Sequence, residues 1–244
     1  ILMIGHITKD GVLAGPKLLE HIVDTVLYFE GDPDSRLRLV RAFKNRFGAI
    51  NEVGVFVMAD SGLKGVENPS SILLSSDDTD KSGSVVLVAQ EGTRPLLVEL
   101  QALVDDAVLA APRRISIGLD GGRINMLLAV LSRHAGVTLG NRDVYVNVAG
   151  GIKLSETAAD VAIALAVLSS YFDKPLPAGT VCFGEIGLSG EIRPVQRGQE
   201  RLREAQKLGF KQAIIPQANQ AAQSPENLQV VPIKHIGELL ELFH

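Results

Sequence analysis

Between residues 35 and 43 apolar and polar positions alternate: Leu37, Leu39 and Phe43 share one face of an extended chain, with Arg41 the exception, and Arg36, Arg38, Val40, Ala42 and Lys44 take the other. A period of two predicts a half-buried strand. Gly54-Val55-Phe56-Val57-Met58-Ala59 is almost wholly apolar and predicts a more buried partner strand, with Lys44-Asn45-Arg46-Phe47-Gly48 at the turn between the two. Upstream, Ile1-Leu2-Met3-Ile4-Gly5-His6 reads as a buried strand that starts with no turn and no Met before it, so a fragment of a longer chain is expected. A polar loop follows, Pro16 opens a helix over Lys17 to Thr25, and Val26-Leu27-Tyr28-Phe29 makes another strand before the acidic turn Glu30 to Asp34.

The polar, aperiodic run from Ser75 to Ser84 is the best linker in the chain. Beyond it, Val85 to Val88 and Leu96 to Leu100 predict strands around the turn Glu91 to Pro95, and Arg114 to Gly118 a further one. Ile124, Leu127, Leu128 and Leu131 have helical spacing within a helix from Gly122 to Ala135. Strands are predicted at Val144–Val148, Thr180–Gly184 and Gln212–Pro216, and helices at Glu156–Tyr171, Gln199–Leu208 and Gly237–Phe243. The pattern is a two-layer α+β arrangement of roughly 150 residues, within the usual size of a domain.

Composition narrows the function classes. The 244 residues are 46% hydrophobic and 21% charged, enough for one large or two modest domains. A net charge of −4 gives no global cationic field, so any contact with nucleic acid has to come from a local patch. The single cysteine, Cys182, excludes an intramolecular disulfide framework and a Cys-rich zinc site, and with no apolar stretch of membrane-spanning length a cytoplasmic location without membrane partners is expected.

The candidate chemistry begins at the turn. Lys44 and Arg46 have no acid closer in sequence than Glu52. A guanidinium suits bidentate phosphate recognition, an ammonium supplies a point charge, and Gly48 lets the backbone turn back. The alternative is an ordinary solvated basic tip. Lys44-Asn45-Arg46-Phe47-Gly48 resembles the signature motif of the bacterial RadA (Sms) recombination proteins, letter for letter.

A second resemblance covers residues 92–244. Lys153-Leu154-Ser155-Glu156-Thr157-Ala158-Ala159, an apolar helix, Gly184-Glu185-Ile186-Gly187-Leu188-Ser189-Gly190-Glu191-Ile192-Arg193-Pro194-Val195 and a charged helix are similar, in that order, to the proteolytic domain of Lon proteases. Carried over by position, the nucleophilic serine falls on Thr157 and the general-base lysine on Arg201. A lysine base must lose its proton near neutral pH, and a guanidinium cannot. The Ser-Lys dyad is therefore lost and no peptidase activity is expected, unless Ser155 and Lys153 replace it. Arg193, Arg197 and Arg201 at steps of four, beside Arg203, Lys207 and Lys211, either track phosphates or form an ion-paired solvated face with Glu200 and Glu204.

Together the chain resembles the C-terminal part of a RadA (Sms) protein, which implies an α/β chain: the end of a RecA-like ATPase core over 1–78, a linker over 79–91 and an α+β Lon protease-like domain over 92–244. The resemblance implies a ring-forming, hexameric assembly acting as a DNA-stimulated ATPase (hydrolase) in DNA repair, recombination and branch migration, with single-stranded and branched DNA and other recombination proteins as partners. Lys44 and Arg46 would act in trans on a neighbour's nucleotide, on DNA, or on both; His6 would sense the γ-phosphate, or be a satisfied core histidine; Lys9 would face DNA, or solvent. ATP or ADP with Mg would belong to the full-length protein and zinc to a region absent here, since no Gly-x-x-x-x-Gly-Lys-Ser/Thr loop occurs. This chain alone is expected to be inactive. The alternatives are a Lon-type peptidase or a purely non-catalytic oligomerisation module.

Overall fold

The computed structural model describes residues 1–5, 21–31, 37–50, 52–66, 68–74, 81–108, 111–221 and 226–243. The alternating segments pair as expected. β1 (Thr25–Glu30), β2 (Leu37–Asn45), β3 (Val53–Ala59) and β4 (Gly62–Gly65) form an antiparallel sheet in sequence order. A short helix, α1 (Ser70–Leu73), follows, which the sequence reading did not anticipate. It seats Leu73 in the core, and the Ser70 hydroxyl accepts from Leu97 N–H at 3.1 Å.

The larger sheet is mixed, with seven strands in the order β13-β12-β9-β5-β6-β8-β7. β5 (Ser84–Glu91) and β6 (Arg94–Asp106) are a hairpin whose two-residue loop is Gly92-Thr93, and Gly92 takes the positive φ of 58° that such a loop requires. β8 (Arg142–Val148) lies antiparallel to β6, β7 (Arg114–Ile117) parallel to β8, and β9 (Thr180–Cys182) parallel to β5. β12 (Gln212–Pro216) and the edge strand β13 (Gln229–Ile233) complete it in parallel. A small hairpin, β10 (Glu185–Ile186) and β11 (Ile192–Arg193), stands apart.

The predicted helical face is the buried one: α2 (Gly121–His134) buries Ile124, Leu127, Leu128 and Leu131, and its N-cap Asp120 accepts from Arg123 N–H at 2.7 Å. α3 (Asp160–Phe172) is buried from Asp160 to Ser169, as an all-round apolar helix must be. Its serines tie it to the sheet: Ser169 Oγ accepts from Gly83 N–H and Ser170 Oγ from Val104 N–H, both at 2.9 Å. α4 (Gly198–Lys207) is amphipathic, and the C-terminal segment Ile236–Phe243 is a 3-10 rather than an α-helix.

The mixed α/β class is thus what the chain forms. Several details differ. Residues 1–5 are exposed rather than a buried strand, and they pair with no strand among the described residues. Helix ends by Ile22 and Thr25 already belongs to β1. The stretch assigned to a linker, 79–91, contains β5, a central strand of the large sheet. Leu87 to Ala89 and Leu96 to Leu100 are buried at every position. Since alternate residues face opposite sides, the hairpin is covered on both, which is more than two layers. One continuous core joins Leu37, Val53 and Val55 of the small sheet and Leu73 of α1 to the large sheet.

Candidate functional site

The basic turn is shaped by a bulge. Leu27 pairs with Ala42 and Val26 with Lys44, so Phe43 is an extra residue. The insertion shifts Lys44 by one position from strict alternation, out of the row of Arg38, Val40 and Ala42. Phe43 was expected on the buried face but is 55% exposed, stacked on Tyr28 with ring centroids 4.9 Å apart. Beyond it Asn45 closes the turn: its Nδ2 donates to the Ala49 carbonyl at 3.2 Å and its Oδ1 accepts from Phe47 N–H at 3.4 Å. At Gly48 no positive φ is involved, but a Cβ there would lie 2.7 Å from the Asn45 amide and would push aside the side chain that closes the turn.

The tip is not without an acid. Arg46 Nη1 pairs with Asp24 at 3.1 Å, its backbone N–H donates to the Asp24 carbonyl at 2.9 Å, and Lys44 Nζ donates to the His21 carbonyl at 3.0 Å. The Arg46 guanidinium also lies 5.6 Å from the Phe47 ring centre. The Arg46 and Asp24 side chains are 70% and 54% exposed, so the pair is worth only about 0.2–1 kcal/mol and yields readily to a better anion. His6 and Lys9 lie outside the described residues.

The two positions that the resemblance to Lon proteases singles out, Thr157 and Arg201, make structural contacts. Thr157, in the 3-10 turn Thr157–Ala159, donates its hydroxyl to Glu185 at 2.6 Å. Arg201, on α4, is 2% exposed. Its guanidinium meets Glu156 at 2.6 and 3.2 Å, donates to the carbonyls of Val88 and Gln196, and sits 5.7 Å from the Phe183 ring centre. Glu156 in turn accepts from Gln90 N–H at 2.7 Å. Arg201 makes no bond to the Thr157 hydroxyl, and as a guanidinium it could not deprotonate it. Lys153 and Ser155 are exposed, and no hydrogen bond between them forms a substitute pair.

The proposed phosphate stripe is broken for the same reason. Arg201 is buried; Arg193 belongs to β11 and pairs with Glu191 at 2.5 Å; Arg197, at φ 56°, precedes α4 and donates to the Thr93 carbonyl. The step of four is therefore not helical there.

Sequence reasoning missed the carboxylates. Asp160, 1% exposed at the start of α3, is bridged by Arg123 and accepts from Ile186 N–H at 3.0 Å; burial pushes its pKa up despite the guanidinium. Arg41, the exception on an apolar face, reaches Glu91 at 2.7 Å and Glu30 at 3.3 Å, joining the two sheets. That odd charge was the visible signal. Glu91 also has its pKa raised by burial, with Arg41 opposing. Between the sheets lies a cleft of about 630 Å³, lined by Leu39, Arg41, Gln90, Glu91 and segment 150–156 among others. Burial raises the Cys182 thiol far above its usual range, so it is no nucleophile. Among the described residues no three His, Cys, Asp or Glu side chains converge to hold a metal, and no helix is long and apolar enough to cross a membrane.

Comparison with known proteins gives this architecture relatives. Residues 98–219, half of the chain, match the family described as subunit ChlI of Mg-chelatase. The chain is 55% identical over 243 residues to the DNA repair protein RadA of Escherichia coli (strain K12), covering 100% of this chain and 53% of that protein. It is 56% identical over 240 residues to RadA of Haemophilus influenzae, covering 98% and 52%, and 48% identical over 242 residues to RadA of Bacillus subtilis (strain 168), covering 98% and 53%. The chain belongs to the ChlI family through residues 98–219 and, over its whole length, to the RadA family, whose C-terminal part it matches. It spans about half the length of these relatives.

Proposed function

We propose that the chain is the C-terminal half of a DNA repair ATPase and that Lys44 and Arg46 serve its reaction from a neighbouring subunit. The observation that carries this reading is the tip itself: a turn fixed by Asn45 holds Arg46 in the open, and among the described residues its one ion pair is with an exposed carboxylate. Homology to proteins named DNA repair protein RadA supports it. Phosphoryl transfer is promoted by cations placed where negative charge develops, and a cation supplied in trans makes hydrolysis depend on assembly. This chain has no phosphate-cradling loop, so ATP and Mg would be held by the rest of the full-length protein; of the residues here, Lys44 and Arg46, with His6 and Lys9, would face phosphate or DNA. Residues 1–78 would end a RecA-like core, and 92–244 a Lon-like domain that acts as scaffold of a hexameric ring and its DNA channel during branch migration.

The buried state of Arg201 favours this scaffold role over peptidase chemistry. In the full-length protein, Lys44→Ala and Arg46→Ala are expected to lower DNA-stimulated ATP hydrolysis by at least about tenfold, the loss of one charge-assisted contact in the transition state. Unchanged DNA-stimulated rates in both variants would refute the assignment.

A further inference from the structure

The basic turn carries rings as well as charges. Phe43-Lys44-Asn45-Arg46-Phe47 sets an aromatic residue at each end, a cation next to each, and an asparagine in the middle. Both rings face solvent: Phe43 is 55% exposed and Phe47 80%. Phenylalanine is ordinarily among the residues put away from water. Each ring is also already backed by a neighbour. The half-buried Tyr28 stacks on Phe43 with the ring planes 15° apart, and the Arg46 guanidinium lies over Phe47. Asn45 fixes the turn that separates them. Rings held in this way lose little conformational freedom when a flat partner is laid on them.

Two kinds of partner use such rings. The core of a protein–protein interface takes aromatic residues but is depleted of lysine, and here Lys44 sits between the two rings. A single strand of nucleic acid needs both: cations for its backbone, and aromatic faces for its bases. A duplex offers the phosphates but keeps its base faces stacked on one another. The exposed pair of Arg46 with Asp24 is weak enough for a phosphate to replace the carboxylate. A mononucleotide, with one base, would cover only one of the two rings.

We propose that Phe43 and Phe47 stack on the bases of a single DNA strand while Lys44 and Arg46 hold its phosphates, so that the tip selects unpaired DNA over a duplex. This role rests on the assignment of the tip to phosphate or DNA and adds to it the residues that distinguish unpaired from paired strands. It is tested in the full-length protein by fluorescence anisotropy with an oligothymidylate, an abasic strand of equal length and charge, and a duplex. Phe43→Leu and Phe47→Leu keep apolar bulk but lose the ring, and each is expected to weaken oligothymidylate binding at least about fivefold. Abasic and duplex affinities should be unchanged, as should the slope of affinity against salt. Phe47→Tyr should bind like the parent. Arg46→Ala should instead weaken binding of all three ligands and flatten the salt slope. The stacking role is overturned by a Phe47→Leu protein that keeps its oligothymidylate affinity, that loses all three ligands equally, or that shows only a raised KM for ATP, the mark of a ring set against a neighbouring subunit's nucleotide. Any of these results with Arg46→Ala still slowing DNA-stimulated hydrolysis strikes the stacking role alone and leaves the assignment of Lys44 and Arg46 in place.

Discussion

Arg46 and Arg201 carry the same charge and have opposite fates. Arg46 stands at an exposed turn, holding Asp24 and stacking on Phe47. Arg201 is sealed under the sheet with Glu156 and two carbonyls on its guanidinium. Solvent exposure makes the first pair weak and exchangeable; desolvation makes the second rigid, because every partner removed leaves a buried charge. A cation can serve a ligand only where its present partner is easily left, so the count of arginines in a stretch says little about binding.

The contrast can be broken in three further ways. The largest effect is expected for Arg201→Ala: the part-buried Glu156 and the Val88 and Gln196 carbonyls lose their guanidinium, a buried side chain is removed, and unfolding in urea should reveal a loss of about 3–5 kcal/mol. Arg46→Ala, by comparison, should stay within about 0.5 kcal/mol of the parent in the same measurement. A loss at Arg201 no greater than at Arg46 would erase the distinction. Intermediate is Arg41→Ala, which separates Glu30 and Glu91 from their shared partner and should cost about 1–3 kcal/mol, most of it from the part-buried Glu91. The smallest is Asp24→Asn. Removing the acid that competes for Arg46 should strengthen the binding of single-stranded DNA by the full-length protein about two- to threefold at low salt, an effect that should fade as salt screens it. Weaker binding would mean that Asp24 positions the tip rather than competing for it.

What the sequence made legible follows from how local each cause is. The face of α2 was readable because Ile124, Leu127, Leu128 and Leu131 repeat within one element. Arg41 was visible as an anomaly, though its partners were not: Glu91 lies 50 residues away. Asp24 escaped notice because it reaches Arg46 across a strand pair, 22 residues back in the chain. β13 escaped because Pro232 interrupts its apolar run; an edge strand tolerates a proline that a central strand would not. The chemistry of arginine told what Arg201 could not do: serve as a base. Only its burial, with Glu156 as partner, tells what it does.

The extra residue at Phe43 has one more consequence. It works as a phase shift in an otherwise periodic strand: the rows of β2 that lock onto β3 keep one rhythm, and Lys44 starts on another. The aim of the tip is thereby uncoupled from the pairing that seats the hairpin in the core, so the orientation of its cations can be tuned by one residue without disturbing the register beneath it.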